Sequence, residues 1–157
     1  MDRFKLRATA SAIVERDGKI LVTIEPADLD HMDGPRHIAK PGGHIEDGES
    51  VFDCLTRETW EETGYRVRPT ALVGIYLQRF SDSSSVNFTF ACELEREIPE
   101  PITSPDILEA TWMTRDELLA RRSEWRRGST IDSLEDYLAG KRYPIDFIKY
   151  LDHTKTP

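Results

Sequence analysis

Short runs of apolar and polar residues, broken by turn residues, make up most of this chain, and one longer stretch follows a helical period instead. Residues 7–16, RATASAIVER, predict a strand whose small side chains suit a crowded sheet. Asp17-Gly18 is a hairpin signal, and the β-branched run Ile20-Leu21-Val22-Thr23-Ile24 is the return strand. Pro26 to Arg36 is polar, with Asp28, Asp30, Asp33 and Gly34, and is expected to be a mobile loop. His37 to Lys40 leads briefly into Pro41-Gly42-Gly43, expected to be a tight loop rather than helix or strand.

Ser50 to Thr63 contains no Gly or Pro, and Gly64 follows as a natural helix stop. At about 100° per residue, Val51, Phe52, Leu55 and Thr59 share one largely apolar stripe. With Glu58 at zero on that wheel, Val51 lies at about 20°, Glu62 at about 40°, Leu55 at about 60° and Glu61 at about −60°. Glu58 and Glu62 therefore sit at the edge of the apolar stripe. A solvated acidic surface would put them opposite it.

Beyond the helix, Ala71 to Arg79 is a second apolar run, Ser81 to Ser85 a polar turn, and Val86 to Leu94 a return strand of period two. Glu95 to Pro105 is charged and proline-rich, a connection, and Ala110 to Met113 predicts a short strand. Thr114-Arg115-Asp116-Glu117 is a capping-box pattern opening a helix through Leu118, Leu119 and Arg121. Ser129 or Thr130 is expected to cap a last helix ending near Gly140, with Ile131, Leu134 and Leu138 on one face. The order hairpin, loop, helix, hairpin, strand, helices suggests an α/β fold with a helix on each side of a mixed sheet.

A length of 157 residues suits one domain, 1–157, with one core. No apolar run approaches the roughly 20 residues that span a bilayer. Met1-Asp2-Arg3-Phe4-Lys5 lacks the apolar core of a secretory signal, so a cytoplasmic location is expected. Cys54 and Cys92 have no zinc-ligand spacing, and Cys92 alternates with Phe88, Phe90 and Leu94 like a buried apolar residue. The net charge of −8 disfavours stable nucleic-acid or anionic-membrane binding. It does not disfavour a nucleotide, provided a divalent cation neutralises both partners.

Like charges at i,i+4 oppose each other by about 0.2–0.5 kcal/mol even in water. Glu58, Glu61 and Glu62 together offer the hard oxygen ligands that magnesium prefers. Glu58 and Glu62 are read as its ligands, with Glu61 a further or alternating one. Arg57, four residues from both Asp53 and Glu61, is expected to brace those carboxylates. A helix with solvated acids at a frayed end is the bland alternative. It leaves their place on the apolar edge unexplained.

The run Gly43, five residues, Glu49, seven residues, then Arg57-Glu58-Thr59-Trp60-Glu61-Glu62-Thr63-Gly64-Tyr65 resembles the Nudix box, GX5EX7REUXEEXGU with U a bulky aliphatic residue. The fixed Gly, Glu and Arg residues are all present. Thr59 and Tyr65 depart from the aliphatic positions, which concern packing. The resemblance covers residues 7 to about 121. It implies an α/β/α sandwich with a mixed sheet and a loop–helix–loop motif at 43–65, holding magnesium, or manganese, over a diphosphate. It adds the Gly43 carbonyl to the ligands, includes Arg57, Glu58 and Glu61 among the catalytic residues, and leaves the base open between Glu58 and Glu61. Glu49 is expected to support Arg57, with a ligand role as the alternative.

Asp106 and Glu109 precede a strand at which relatives sometimes supply an extra carboxylate. Arg36, Lys40, Arg79 and His44 are candidates for substrate contact, with ordinary surface roles as the alternative. Tyr76, Phe80 and Trp112 could stack on a base or simply pack; His31, His37 and His44 follow no metal spacing. The stretch from Gly128 to Pro144, within a C-terminal helical extension of about 128–157, is similar to the tail of the NudJ phosphatase subgroup. That likeness implies hydrolysis of nucleoside tri- and diphosphates to the monophosphate, and of a pyrophosphorylated thiamine precursor; the sequence leaves the assembly open between a monomer and a homodimer. ADP-ribose, dinucleoside polyphosphates, NADH or sugar nucleotides are the alternative substrates. A non-catalytic nucleotide-binding or RNA-associated module is the alternative of another class.

Overall fold

The computed structural model describes residues 5–27 and 36–154. Most of the expected loop at 26–36, and His31 with it, lies outside the described residues. The elements are β1 (Leu6–Arg16), β2 (Lys19–Pro26), β3 (Arg36–Ala39), β4 (Gly42–His44), α1 (Val51–Thr63), β5 (Val67–Arg79), β6 (Ser84–Leu94), β7 (Glu109–Thr114), α2 (Arg115–Ala120) and α3 (Ser129–Leu138). A single 3-10 turn, Arg122–Glu124, joins α2 to α3.

Asp17 and Gly18 both take positive φ, 52° and 72°, the turn geometry that matches the twist of the β1–β2 hairpin. β1 and β2 pair only near that turn, at Glu15↔Ile20 and Arg16↔Lys19, and then diverge. The sheet among the described residues runs β3-β2-β1-β6-β5, with β4 on β1 and β7 on β2. β1 and β6 are parallel from Leu6↔Ser84 to Val14↔Cys92; the other pairs are antiparallel, so the sheet is mixed.

Alternation along the strands divides the core between two faces. Ala10, Ala12, Val14, Leu21 and Phe90 pack under Cys54 and Leu55 of α1. Ile13, Val22, Ile38 and Val73 face Leu118, Trp125 and Leu134 on the α2–α3 side. This is the expected α/β/α sandwich. Both cysteines are buried and free, and Cys92 takes the apolar role read for it.

Three local expectations need correction. Gly42 and Gly43 belong to a strand, because the divergence of β1 from β2 leaves an edge of β1 on which Ser11↔Gly42 and Ala10↔Gly43 pair. Ser129 is not a cap; Gly128 occupies that place at φ 87°, and Gln78 Oε1 accepts the Ser129 N–H at 2.9 Å. The last helix stops at Leu138, close to the expected end, but the chain beyond it is turns and irregular backbone with one β-bridge rather than a helical extension. Leu72 of β5 and Tyr143 exchange both backbone hydrogen bonds, at 2.9 and 2.8 Å. Ile145 and Ile148 then pack on the α1 side, and the Tyr150 hydroxyl donates to the Gly48 carbonyl at 3.0 Å.

Candidate active site

Local chemistry holds both ends of α1. Ser50 and Asp53 form a reciprocal capping box, and Gly64 closes the helix at φ 74°. Asp53 is therefore committed to Ser50, with its carboxyl held below the usual range by those bonds, and is not an Arg57 partner. The loop before β7 covers the helix end: the Glu61 carbonyl accepts from the N–H groups of Thr103 and Ser104, both at 3.0 Å.

Cys54, Leu55 and Thr59 are buried against the sheet, which turns the carboxylates of Glu58 and Glu62 toward the β4 glycines. The Gly42 N–H donates to Glu62 Oε2 at 2.9 Å. Gly43 lies so near Glu58 that a Cβ there would stand 2.4 Å from the carboxyl carbon. Arg57 donates to Glu49 from Nε at 2.5 Å and from Nη2 at 3.0 Å, and its Nη1 reaches Glu58 at 2.8 Å and Glu61 at 3.2 Å. Its Nη2 also donates to the His44 carbonyl at 3.1 Å. Glu49 thus lies against Arg57.

The electrostatics separate the acids. Arg57 holds the Glu49 carboxyl below its usual range. Desolvation raises Glu58 even with Arg57 opposing it. Desolvation pushes Glu62 up to about 8, with the charges of Glu25 and Glu58 adding to it and the Gly42 N–H and Arg126 opposing it. A buried carboxyl raised this far lacks a sufficient cation.

A Nudix-domain family profile matches residues 5–134. The chain belongs to the Nudix family. This Nudix chain is 31% identical over 146 residues to the Phosphatase NudJ of Escherichia coli strain K12, with 92% of each covered. It is 32% identical to a NUDIX hydrolase from Nitrosomonas europaea, superposing with a TM-score of 0.84 over 95% of this chain and 99% of the other. A MutT NUDIX hydrolase from Burkholderia pseudomallei, 21% identical with a TM-score of 0.69 over 84% of this chain and 98% of the other, shares the fold. The protein is a Nudix hydrolase with a NudJ-like chain.

The donor set suits a hard divalent cation: carboxylate oxygens, a glycine backbone that the Glu58 carboxylate approaches closely, and a desolvated acid short of positive charge. The carboxylates do not converge into a ready cage, since among the described residues no three His, Cys, Asp or Glu side chains are grouped to hold an ion. Arg57 occupies the space between Glu58 and Glu61. A cation would have to share those carboxylates with the guanidinium.

The cations expected at the substrate are dispersed. Lys40 is buried, its Nζ donating to Ser133 Oγ at 2.6 Å and to the Ser129 carbonyl at 3.1 Å, so it is occupied by α3. Burial brings its pKa down to about 7. Arg79 is exposed at the far end of β5 opposite Ser84, and Arg36 is exposed at the start of β3 opposite Pro26. His44 is exposed on β4, within the box. Asp106 and Glu109 are exposed in the stretch between the bonds at Glu61 and the pairing of Glu109 with Ile24. Of the aromatic candidates, Trp112 packs edge-on against Tyr65 and Tyr76 donates to Asp136, while Phe80 is exposed.

Three residues absent from the sequence-based site form a cluster, two of which, Glu25 and Arg126, act electrostatically on Glu62. Glu25 Oε2 accepts from Arg126 Nη1 at 2.8 Å and meets His37 Nε2 at 3.1 Å. Arg126 is brought there by a bridge between Ile38 and Trp125, a pairing with no signature in residue spacing. Among the described residues no helix is long and apolar enough to cross a membrane.

Proposed function

We propose that this Nudix hydrolase cleaves nucleoside tri- and diphosphates, and related small pyrophosphates, to the monophosphate. The observation that carries this reading is the turning of Glu58 and Glu62 onto the β4 glycines, where desolvated acids face backbone that has no side chain. The NudJ-like chain supports the substrate class. Magnesium or manganese, held by the Gly43 carbonyl with Glu58, Glu61 and Glu62, would neutralise phosphate oxygens and make water easier to deprotonate.

The chain's own residues do the rest. Arg57, anchored by Glu49, keeps Glu58 and Glu61 in place. A water oxygen bonds to phosphorus as the bridging P–O bond breaks, its proton passes to Glu58 or Glu61, and phosphate or pyrophosphate leaves. With a net charge of −8, the expected partner is a small nucleotide, and stable nucleic-acid binding is disfavoured. The protein would act in the cytoplasm, its 157 residues working as one domain in a monomer or homodimer.

Turnover of a panel of nucleotides and pyrophosphates with magnesium, with products separated after reaction in oxygen-18 water, tests this directly. Monophosphate product is expected, with Glu58→Gln and Glu62→Gln each reducing turnover by about 100-fold or more while the fold persists. Preference for ADP-ribose or dinucleoside polyphosphates would move the substrate class. Tight nucleotide binding without hydrolysis, or full activity in both variants, would sink the mechanism.

A further inference from the structure

The box leaves the substrate's own charge poorly met. Arg57 is engaged with Glu49, Glu58 and Glu61, and Lys40 is enclosed by Ser129 and Ser133. Arg126 differs. Its backbone N–H is fixed to the Ile38 carbonyl at 2.7 Å, while its side chain is 53% exposed. The Ile38 that anchors it leads, four residues on, to Gly42, whose N–H donates to Glu62, and the charge of Arg126 acts on both Glu62 and Lys40.

A second observation concerns what holds it. Glu25 bridges Arg126 and His37 from the α1 side of the sheet, and His37 is 2% exposed. One ring nitrogen of His37 meets Glu25, while the other, Nδ1, is buried and has no partner among the described residues. A buried polar atom left so costs about 1–3 kcal/mol. The cluster therefore retains hydrogen-bonding capacity that its own residues do not use.

We propose that Arg126, seated by the Glu25–His37 pair, receives the phosphate oxygens of the substrate next to Glu62. A guanidinium suits this task because its planar fork meets two phosphate oxygens at once. Its bond to Glu25 holds it extended before a ligand arrives, which limits the rotamer entropy lost on binding. The inference rests on the pyrophosphate-hydrolase reading above and names the side chain that recognises the anion in it.

Titration of inorganic pyrophosphate into the full chain with magnesium, beside steady-state kinetics on a nucleoside diphosphate, tests the assignment. In Arg126→Ala, pyrophosphate affinity is expected to weaken, and KM to rise, by about 10–100-fold. The kcat should stay within about threefold. Added guanidinium ion should restore part of the loss, and Arg126→Lys should keep part of the affinity, which a merely structural defect would not permit. Arg127→Ala, at the adjacent exposed position, should bind like wild type. Unchanged affinity in Arg126→Ala, an equal loss in Arg127→Ala, or no rescue by either cation would overturn the proposal. If wild type cleaves no phosphoanhydride yet binds pyrophosphate through Arg126, the hydrolase reading alone fails; if it binds none, both fail.

Discussion

A methyl group on Gly43 would stand 2.4 Å from the carboxyl carbon of Glu58, well inside any permissible contact. The glycine is thus required by the helix opposite it, not by a turn. Gly43→Ala should push the Glu58 carboxylate aside and reduce kcat by about 100-fold, since displacements near 1 Å at a reacting centre cost that much. Circular dichroism should remain that of the folded protein. Wild-type turnover in Gly43→Ala would show that Glu58 works from another position.

Arg57 and Glu49 share two hydrogen bonds, at 2.5 and 3.0 Å, with both side chains mostly buried. Removing the carboxylate by Glu49→Ala frees Arg57 to pull on Glu58 and Glu61. Turnover is expected to fall about 10–100-fold, as for other residues that orient a metal-binding group. Urea denaturation should show a loss of about 1–3 kcal/mol, less than for a fully enclosed ion pair. A stability loss without any kinetic change would confine Glu49 to structure.

Glu62 supplies a pH dependence with a definite sign. Its pKa rises from an ordinary 4.5 to about 8 on folding, so the native state favours the protonated acid. The resulting stability is complete below about pH 4.5 and is lost as pH rises toward 8. Lys40, lowered to about 7, adds an opposing slope only above that pH, which leaves the interval from pH 5 to 7 to Glu62, with the raised Glu58 acting in the same direction. Thermal melts in chelator should therefore fall across that interval, and magnesium should stabilise the protein more at pH 7 than at pH 5. Glu62→Gln should remove most of the slope, leaving the smaller part that Glu58 supplies. A melting temperature that is flat in wild type would contradict a desolvated acid at this position.

Much of this arrangement was legible before any coordinates. The Asp17-Gly18 turn, the capping box at Thr114 and the stop at Gly64 each follow from a few neighbouring residues, whereas the Ser50–Asp53 box was not read from the sequence. The wheel of α1 was equally local, because a regular helix converts spacing into direction. The Gly42–Gly43 strand was not legible. Its backbone groups are satisfied only because β1 leaves β2 after their shared turn and offers a free edge.

The sequence by itself determined which acids share one side of α1 and what chemistry their oxygens favour, since both depend on residue identity and helical period. Tertiary structure alone decided which cations other than Arg57 accompany them. Lys40 was drawn away by Ser129 and Ser133, whereas Arg126 was delivered beside Glu62 by the contact of Trp125 with Ile38. Such placements arise from pairings between distant segments, whose register follows from how the whole sheet and its helices pack.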